Sequence, residues 1–340
     1  MQNRQKPIII GHRGASGYRP EHTRAAYELA YAQGADAVEP DLVVSKDGVL
    51  VIRHENEISG TTDVASHPEF VGRRATKSVD GHDVTGWFTE DFTWAELRAL
   101  RARERLADIR PANASYDGQF ELLSLPDLLE IIERATEKTD RVLGMVAEIK
   151  HATYFESIGL PIEELYTEAL ADAGWPNARN LLTTESFEQT ILTRLRESVI
   201  GGSFVYLLEE LGTPYDRIAA SGGKSITYAD DMTGAGLRRL VGRVDGISVE
   251  KSVILGSLAD DGRTRISSVV EEAHAVGLTV LCWTLRPENR YLGESSQRDV
   301  PDASFGDWES EFRLIMASGV DGIFVDHPDL AVAIRDGRGQ

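Results

Sequence analysis

The chain has 340 residues, 41% of them hydrophobic and 27% charged, with a net charge of −19. That is the make-up of a folded globular protein, long enough for one large domain or two ordinary ones. The negative charge argues against a nucleic-acid partner and an anionic membrane surface, and an anionic substrate would need a metal or local basic groups to reverse the sign at its site.

Met1–Lys6 is polar and runs through Pro7 into the first strand, leaving no room for a secretory signal, so the expected location is the cytoplasm. No apolar run reaches the length of a membrane helix. Ile8-Ile9-Ile10 is a short buried strand that delivers His12 and Arg13 to its C-terminal end. Thr23–Gln33 reads as a helix capped by Thr23 and ended by Gly34. Residues 37–44 form a second apolar strand carrying Glu39 and Asp41, which share a face by the period-two rule. A Lys46-Asp47-Gly48 turn leads to a return strand, Val49–Arg53, and then to His54.

Residues from about 56 to 120 are rich in Gly, Asp, Thr and Arg, with one helix expected at Thr93–Ala102. They lack a clear buried strand and read as an insertion. Regular alternation resumes with a helix at Ser124–Glu137. Strands follow at 142–149, 180–184, 203–208, 246–249, 278–285 and 322–325. The helices between and after them are Pro161–Ala173, Phe187–Glu197, one near Asp231–Val241, Thr264–Val276, Trp308–Ser318 and one from about Asp329. The single cysteine, Cys282, is expected to be a small buried strand residue. Eight strands alternating with helices predict a single (β/α)8 TIM barrel over 1–340, with a small insertion after the second strand. A doubly wound sheet is the runner-up, but no Gly-x-Gly-x-x-Gly opens the first helix.

Barrel sites form at the C-terminal ends of the strands, where His12, Glu39, Asp41, Glu148, Lys150, Trp283 and Asp326 all fall. Glu39, Asp41 and Glu148 offer only oxygen, which suits Ca2+ or Mg2+ rather than zinc. His12 and His54 can serve as acid and base, because imidazole titrates near neutrality. Arg13 can fork onto phosphate oxygens. Lys150 shares a face with Glu148 and can act beside it. Trp283 is either a wall of the substrate pocket or plain core. His67, His82 and His274, in the insertion or on a helix, read as ordinary hydrogen-bonded core or loop histidines, and His22, His151 and His327 as near the mouth without a task.

At these residues the sequence resembles the glycerophosphodiester phosphodiesterase family. Gly11-His12-Arg13-Gly14 with Pro20-Glu21-His22-Thr23 looks like its HRG…PENT signature, with His22 in place of the asparagine. Glu39-x-Asp41, Asp47-Gly48 and His54 look like its E-x-D…DG…HD segment, with Glu55 in place of the aspartate. Glu148-Ile149-Lys150, Trp283-Thr284 and the run from Gly319 to Pro328 match its later motifs, so the likeness spans residues 8 to 328. Neither substitution falls on a proposed catalytic atom. Residues 150–160 resemble a calcium-dependent, often secreted bacterial branch, which leaves export open despite the cytoplasmic expectation.

The resemblance implies hydrolysis of glycerophosphodiesters, such as glycerophosphocholine or glycerophosphoethanolamine, to glycerol 3-phosphate and an alcohol. It also implies a two-step route through a cyclic phosphate. The sequence agrees that no serine or cysteine stands beside either histidine as a nucleophile. Two alternatives stand: a barrel phosphodiesterase of phospholipase D type acting on phospholipids, and a non-catalytic phosphodiester- or metal-binding protein. Homo-oligomerisation and the head group are left open, and so is which histidine is the acid.

Overall fold

The computed structural model describes residues 6–175, 181–198, 200–222, 225–258 and 264–338. Its strands in chain order are β1 Ile8–His12, β2 Ala37–Glu39, β3 Asp41–Val44, β4 Leu50–Ile52, β5 Ala75–Val79, β6 His82–Gly86 and β7 Gly144–Ile149. Then come β8 Leu181–Ser186, β9 Ser203–Leu208, β10 Gly246–Glu250, β11 Leu255–Leu258, β12 Thr264–Ile266, β13 Thr279–Leu285 and β14 Gly322–Val325. The wall runs β1, β2/β3, β7, β8, β9, β10, β13, β14 and closes back on β1, all parallel. This is the expected (β/α)8 barrel.

The second barrel strand is interrupted at Pro40, which has no N–H to give the ladder. The register survives the break: Val38 lies opposite Met145 and Asp41 opposite Glu148. β3 then turns back into the antiparallel β4. The strand expected at 180–184 is β8, and its first residue, 180, lies outside the described residues.

Two packing layers follow from the alternation of strand side chains. One face of the strands joins the helices in a large apolar core. The other face fills the barrel interior with Ile10, Ala37, Val146, Val205, Leu281 and Phe324. Stepping two residues from Ile10, Ala37, Val146 and Leu281 gives His12, Glu39, Glu148 and Trp283. The period that builds the apolar plug therefore sends these four side chains inward at its top.

Three expected elements change. Thr93–Ala102 shrinks to Trp94–Leu97, held by a Thr93/Glu96 capping box. The helix expected at Thr264–Val276 is Val269–Ala275, because β-branched Thr264 and Ile266 pair with β11 instead. The helix near Asp231–Val241 divides into Tyr228–Asp231 and Gly234–Leu240. Between β4 and the helix Leu125–Thr139, the chain forms the β5–β6 hairpin and several short turns. Asp80 and Gly81 at the hairpin tip have φ of 49° and 81°, as a tight hairpin turn requires. No helix among the described residues is long and apolar enough to cross a membrane.

Candidate active site

At the C-terminal end of the barrel opens a cavity of about 720 Å3, lined among others by His12, Arg13, Glu39, His54, Glu148, Lys150 and Trp283. Asp41 is fully buried and does not line it. It lies in ladder register with Glu148, which is itself opposite Glu185 on β8. Three carboxylates thus stand level on adjacent strands, an arrangement that repels unless a cation meets it. One oxygen each from Glu39, Asp41 and Glu148 lies within 4.8 Å of the others, so the trio can hold a metal ion.

The resident cations answer this nest only in part. Arg13 is shared between Glu21 (Nη1–Oε2, 3.0 Å) and Asp41 (Nε–Oδ2, 3.2 Å). Lys150 Nζ lies 3.0 Å from Glu148 Oε1 and 4.0 Å from Asp41 Oδ1. Among the described residues, the buried atoms Asp41 Oδ1, Glu148 Oε1 and Glu185 Oε2 make no aligned hydrogen bond. Burial pushes Glu148 up to about 8, with Asp41 adding to the rise and Lys150 opposing it. Burial and the neighbouring acids also raise Glu39 and Glu185 well above the carboxylate range. Asp41 goes the other way: burial would raise it, but His54, Arg13 and the His22 hydrogen bond outweigh that. Oxygen-only donors, unfilled lone pairs and excess buried acid fit a hard divalent cation.

Both histidines carry a carboxylate at Nδ1. For His12 it is Asp326, with Nδ1 to Oδ1 at 2.6 Å. Asp326 is in turn held by Arg110 Nη2 and Arg286 Nε, each at 2.7 Å. For His54 it is Glu55 Oε1, at 2.9 Å but off the ideal hydrogen-bond line. At His12 that carboxylate fixes the tautomer and reserves Nε2 for the cavity, and at His54 the charge of Glu55 biases the ring the same way. Burial, then Arg13, draws His12 down to about 4, with Asp326 opposing. Burial, then Arg13 and Lys150, draws His54 down to about 3. Burial and the neighbouring cations thus favour the neutral form of both rings.

Several residues carry more than the sequence reading gave them. His22 and Glu55, set aside there as substitutions away from the catalytic atoms, both touch the site: His22 Nε2 lies 2.9 Å from Asp41 Oδ2, and Glu55 meets His54. His82, read as an ordinary polar residue, lines the cavity from the hairpin. Arg110 is buried and joins Asp326 to Glu288, with Nε to Oε1 at 2.7 Å. No local signal marks this pairing, because its members lie 178 and 216 residues apart. Glu185 was missed because its strand, Thr183-Thr184-Glu185-Ser186, looks polar rather than apolar. Trp283 packs edge-on against Phe187 at 5.8 Å and donates Nε1–H to the Ser248 carbonyl at 3.2 Å. Cys282 is buried, as expected.

Residues 12–330 match the glycerophosphoryl diester phosphodiesterase family. The glycerophosphodiester phosphodiesterase GDPD6 of Arabidopsis thaliana is 30% identical over 94% of this chain and 84% of its own length. The glycerophosphodiester phosphodiesterase of Treponema pallidum is 27% identical over 96% and 90%. Among solved structures, an Oleispira antarctica phosphodiesterase in complex with the product sn-glycerol-3-phosphate has a TM-score of 0.63 at 22% identity, covering 97% of each chain. A solved structure from Silicibacter pomeroyi gives 0.66 at 21% identity, over 98% of this chain and 94% of that one. With a barrel mouth that joins two carboxylate-bound histidines to a nest of acids, and a family match across nearly its whole length, this chain belongs to the glycerophosphoryl diester phosphodiesterase family and is a phosphoric diester hydrolase.

Proposed function

We propose that the mouth hydrolyses glycerophosphodiesters such as glycerophosphocholine and glycerophosphoethanolamine to glycerol 3-phosphate and an alcohol. The observation that carries this reading is the pair of imidazoles, each with a carboxylate at Nδ1, lining one cavity beside the acidic trio. Glu39, Asp41 and Glu148 would hold one divalent cation, Ca2+ or Mg2+. When bound, such an ion neutralises the phosphate and stabilises charge that builds up in the transition state. It also lets a chain of net charge −19 accept an anion.

Arg13 and Lys150 orient the non-bridging oxygens, and Trp283 with Phe187 walls the pocket. The arriving phosphate raises the pKa of both imidazoles, because negative charge favours the protonated ring. One imidazole removes the proton from the substrate hydroxyl adjacent to the ester, and the other protonates the departing alcohol. That hydroxyl attacks at high effective molarity, giving a cyclic phosphate. Water opens the ring with the two roles exchanged.

The reading is tested by assaying glycerol 3-phosphate release from a panel of glycerophosphodiesters, with and without chelator. The route is tested with a propanediol analogue of glycerophosphocholine that lacks only the attacking hydroxyl. The analogue should bind as an inhibitor and resist turnover. Its hydrolysis near the parent rate would rule out the cyclic route.

A further inference from the structure

We infer that the β5–β6 hairpin is a catalytic support, acting through Asp80 and His151 to hold Glu55, and hence His54, in working position. This rests on the reading of His54 as an acid–base group. His12 and His54 are alike in carrying a carboxylate at Nδ1 and unlike in what secures it. Asp326 is gripped by two arginines. Among the described residues no arginine meets Glu55: its side chain is 45% exposed, and its second oxygen is held by His151, Nε2 to Oε2 at 2.9 Å. The other nitrogen of His151 reaches Asp80 Oδ2 at 2.6 Å. The contacts therefore run Asp80, His151, Glu55, His54, from the hairpin tip to the ring that lines the cavity.

The backbone agrees. His151 sits at φ 50°, where non-glycine residues are uncommon, while the φ of 49° at Asp80 belongs to the hairpin turn. His151 takes that conformation directly after β7, one residue past Lys150. Local backbone cost of this kind persists where surrounding contacts enforce it, and it clusters at working sites. His151 is also in the right charge state. Burial pulls its pKa down, but hydrogen bonds to Asp80 and Glu55 outweigh this and lift it to about 9. A protonated ring donates to both carboxylates at once. Asp80 and His82 line the cavity itself, and Gly81 between them comes near the Tyr215 ring, 3.5 Å from where a β-carbon would stand. The hairpin thus reaches across the mouth while anchoring one side of it.

Asp80→Asn tests the inference with little risk to the fold, because Asn-Gly suits the same hairpin turn. Its effect on kcat is measured with glycerophosphocholine in the wild-type and His54→Ala backgrounds, with circular dichroism to confirm folding. The expected result is a fall in kcat of about tenfold in the wild-type background, less than the roughly 10²-fold that a misplacement of about 1 Å can cost, because an asparagine keeps one acceptor for His151. In the His54→Ala background the change should be under about twofold, since a group acting through His54 has nothing left to position. His151→Asn, which also tolerates positive φ, should behave the same way. Equal losses in both backgrounds, or unchanged kcat in the wild-type background, would overturn the inference and leave the proposed function standing. Near-native turnover of folded His54→Ala would remove the catalytic reading of His54 and this inference with it.

Discussion

Replacing Asp326 with asparagine should damage catalysis far more than binding. Asp326 is 1% exposed and accepts from His12 Nδ1, Arg110 Nη2 and Arg286 Nε at 2.6, 2.7 and 2.7 Å. An asparagine of the same size keeps one oxygen but turns an NH2 group toward donors and removes the charge. His12 then loses the acceptor that fixes its tautomer. Loss of one general acid or base costs about 10²- to 10⁴-fold, which is about 2.7–5.5 kcal/mol on the barrier. Stability also falls, because uncompensated buried charge costs about 3–5 kcal/mol. The low end applies, since Arg110 keeps Glu288 as a partner. The assay is glycerol 3-phosphate release at saturating glycerophosphocholine, alongside a urea midpoint. Adding Asp326→Asn to His12→Ala should lower kcat little further, as groups acting as one unit are not additive. Folded Asp326→Asn with turnover within a few-fold of wild type would refute the reasoning.

Further outcomes concern the acidic trio and His151. Chelation should abolish turnover and lower the melting temperature, with Ca2+ or Mg2+ restoring both. Glu148→Gln should blunt the thermal response to the ion, and activity that persists after exhaustive chelation would contradict the metal assignment. The raised pKa of His151, about 9 against 6.5, means its stabilising contribution is complete below about pH 6.5 and is lost as pH rises through 9. The stability gap between wild type and His151→Asn, followed by urea midpoints, should therefore shrink from pH 6 to pH 9.5, and a gap that widens would show the sign to be wrong.

The barrel was legible because its strands are apolar runs, and a charge inside such a run stands out. Glu39, Asp41, Glu148 and Lys150 were found that way, and the structure gathers them within one mouth. What the sequence hides is pairing across distance. Asp326 reads as a mouth residue, but nothing near it names His12, 314 positions away, as its partner. The β5–β6 hairpin escaped because its strands are half-exposed and show no buried run, although Asp80-Gly81 was a usable turn signal. His22 and Glu55 looked incidental as departures from a motif. Only the fold shows that each meets a central group, Asp41 and His54.

In the proposed function, His12 and His54 together drive phosphodiester hydrolysis at this mouth. The direct measurement is kcat for glycerol 3-phosphate release from glycerophosphocholine by wild type, His12→Ala and His54→Ala, each verified as folded. The wild type should turn over, and each variant should lose at least about 10²-fold. Near-native turnover by either folded variant would contradict it.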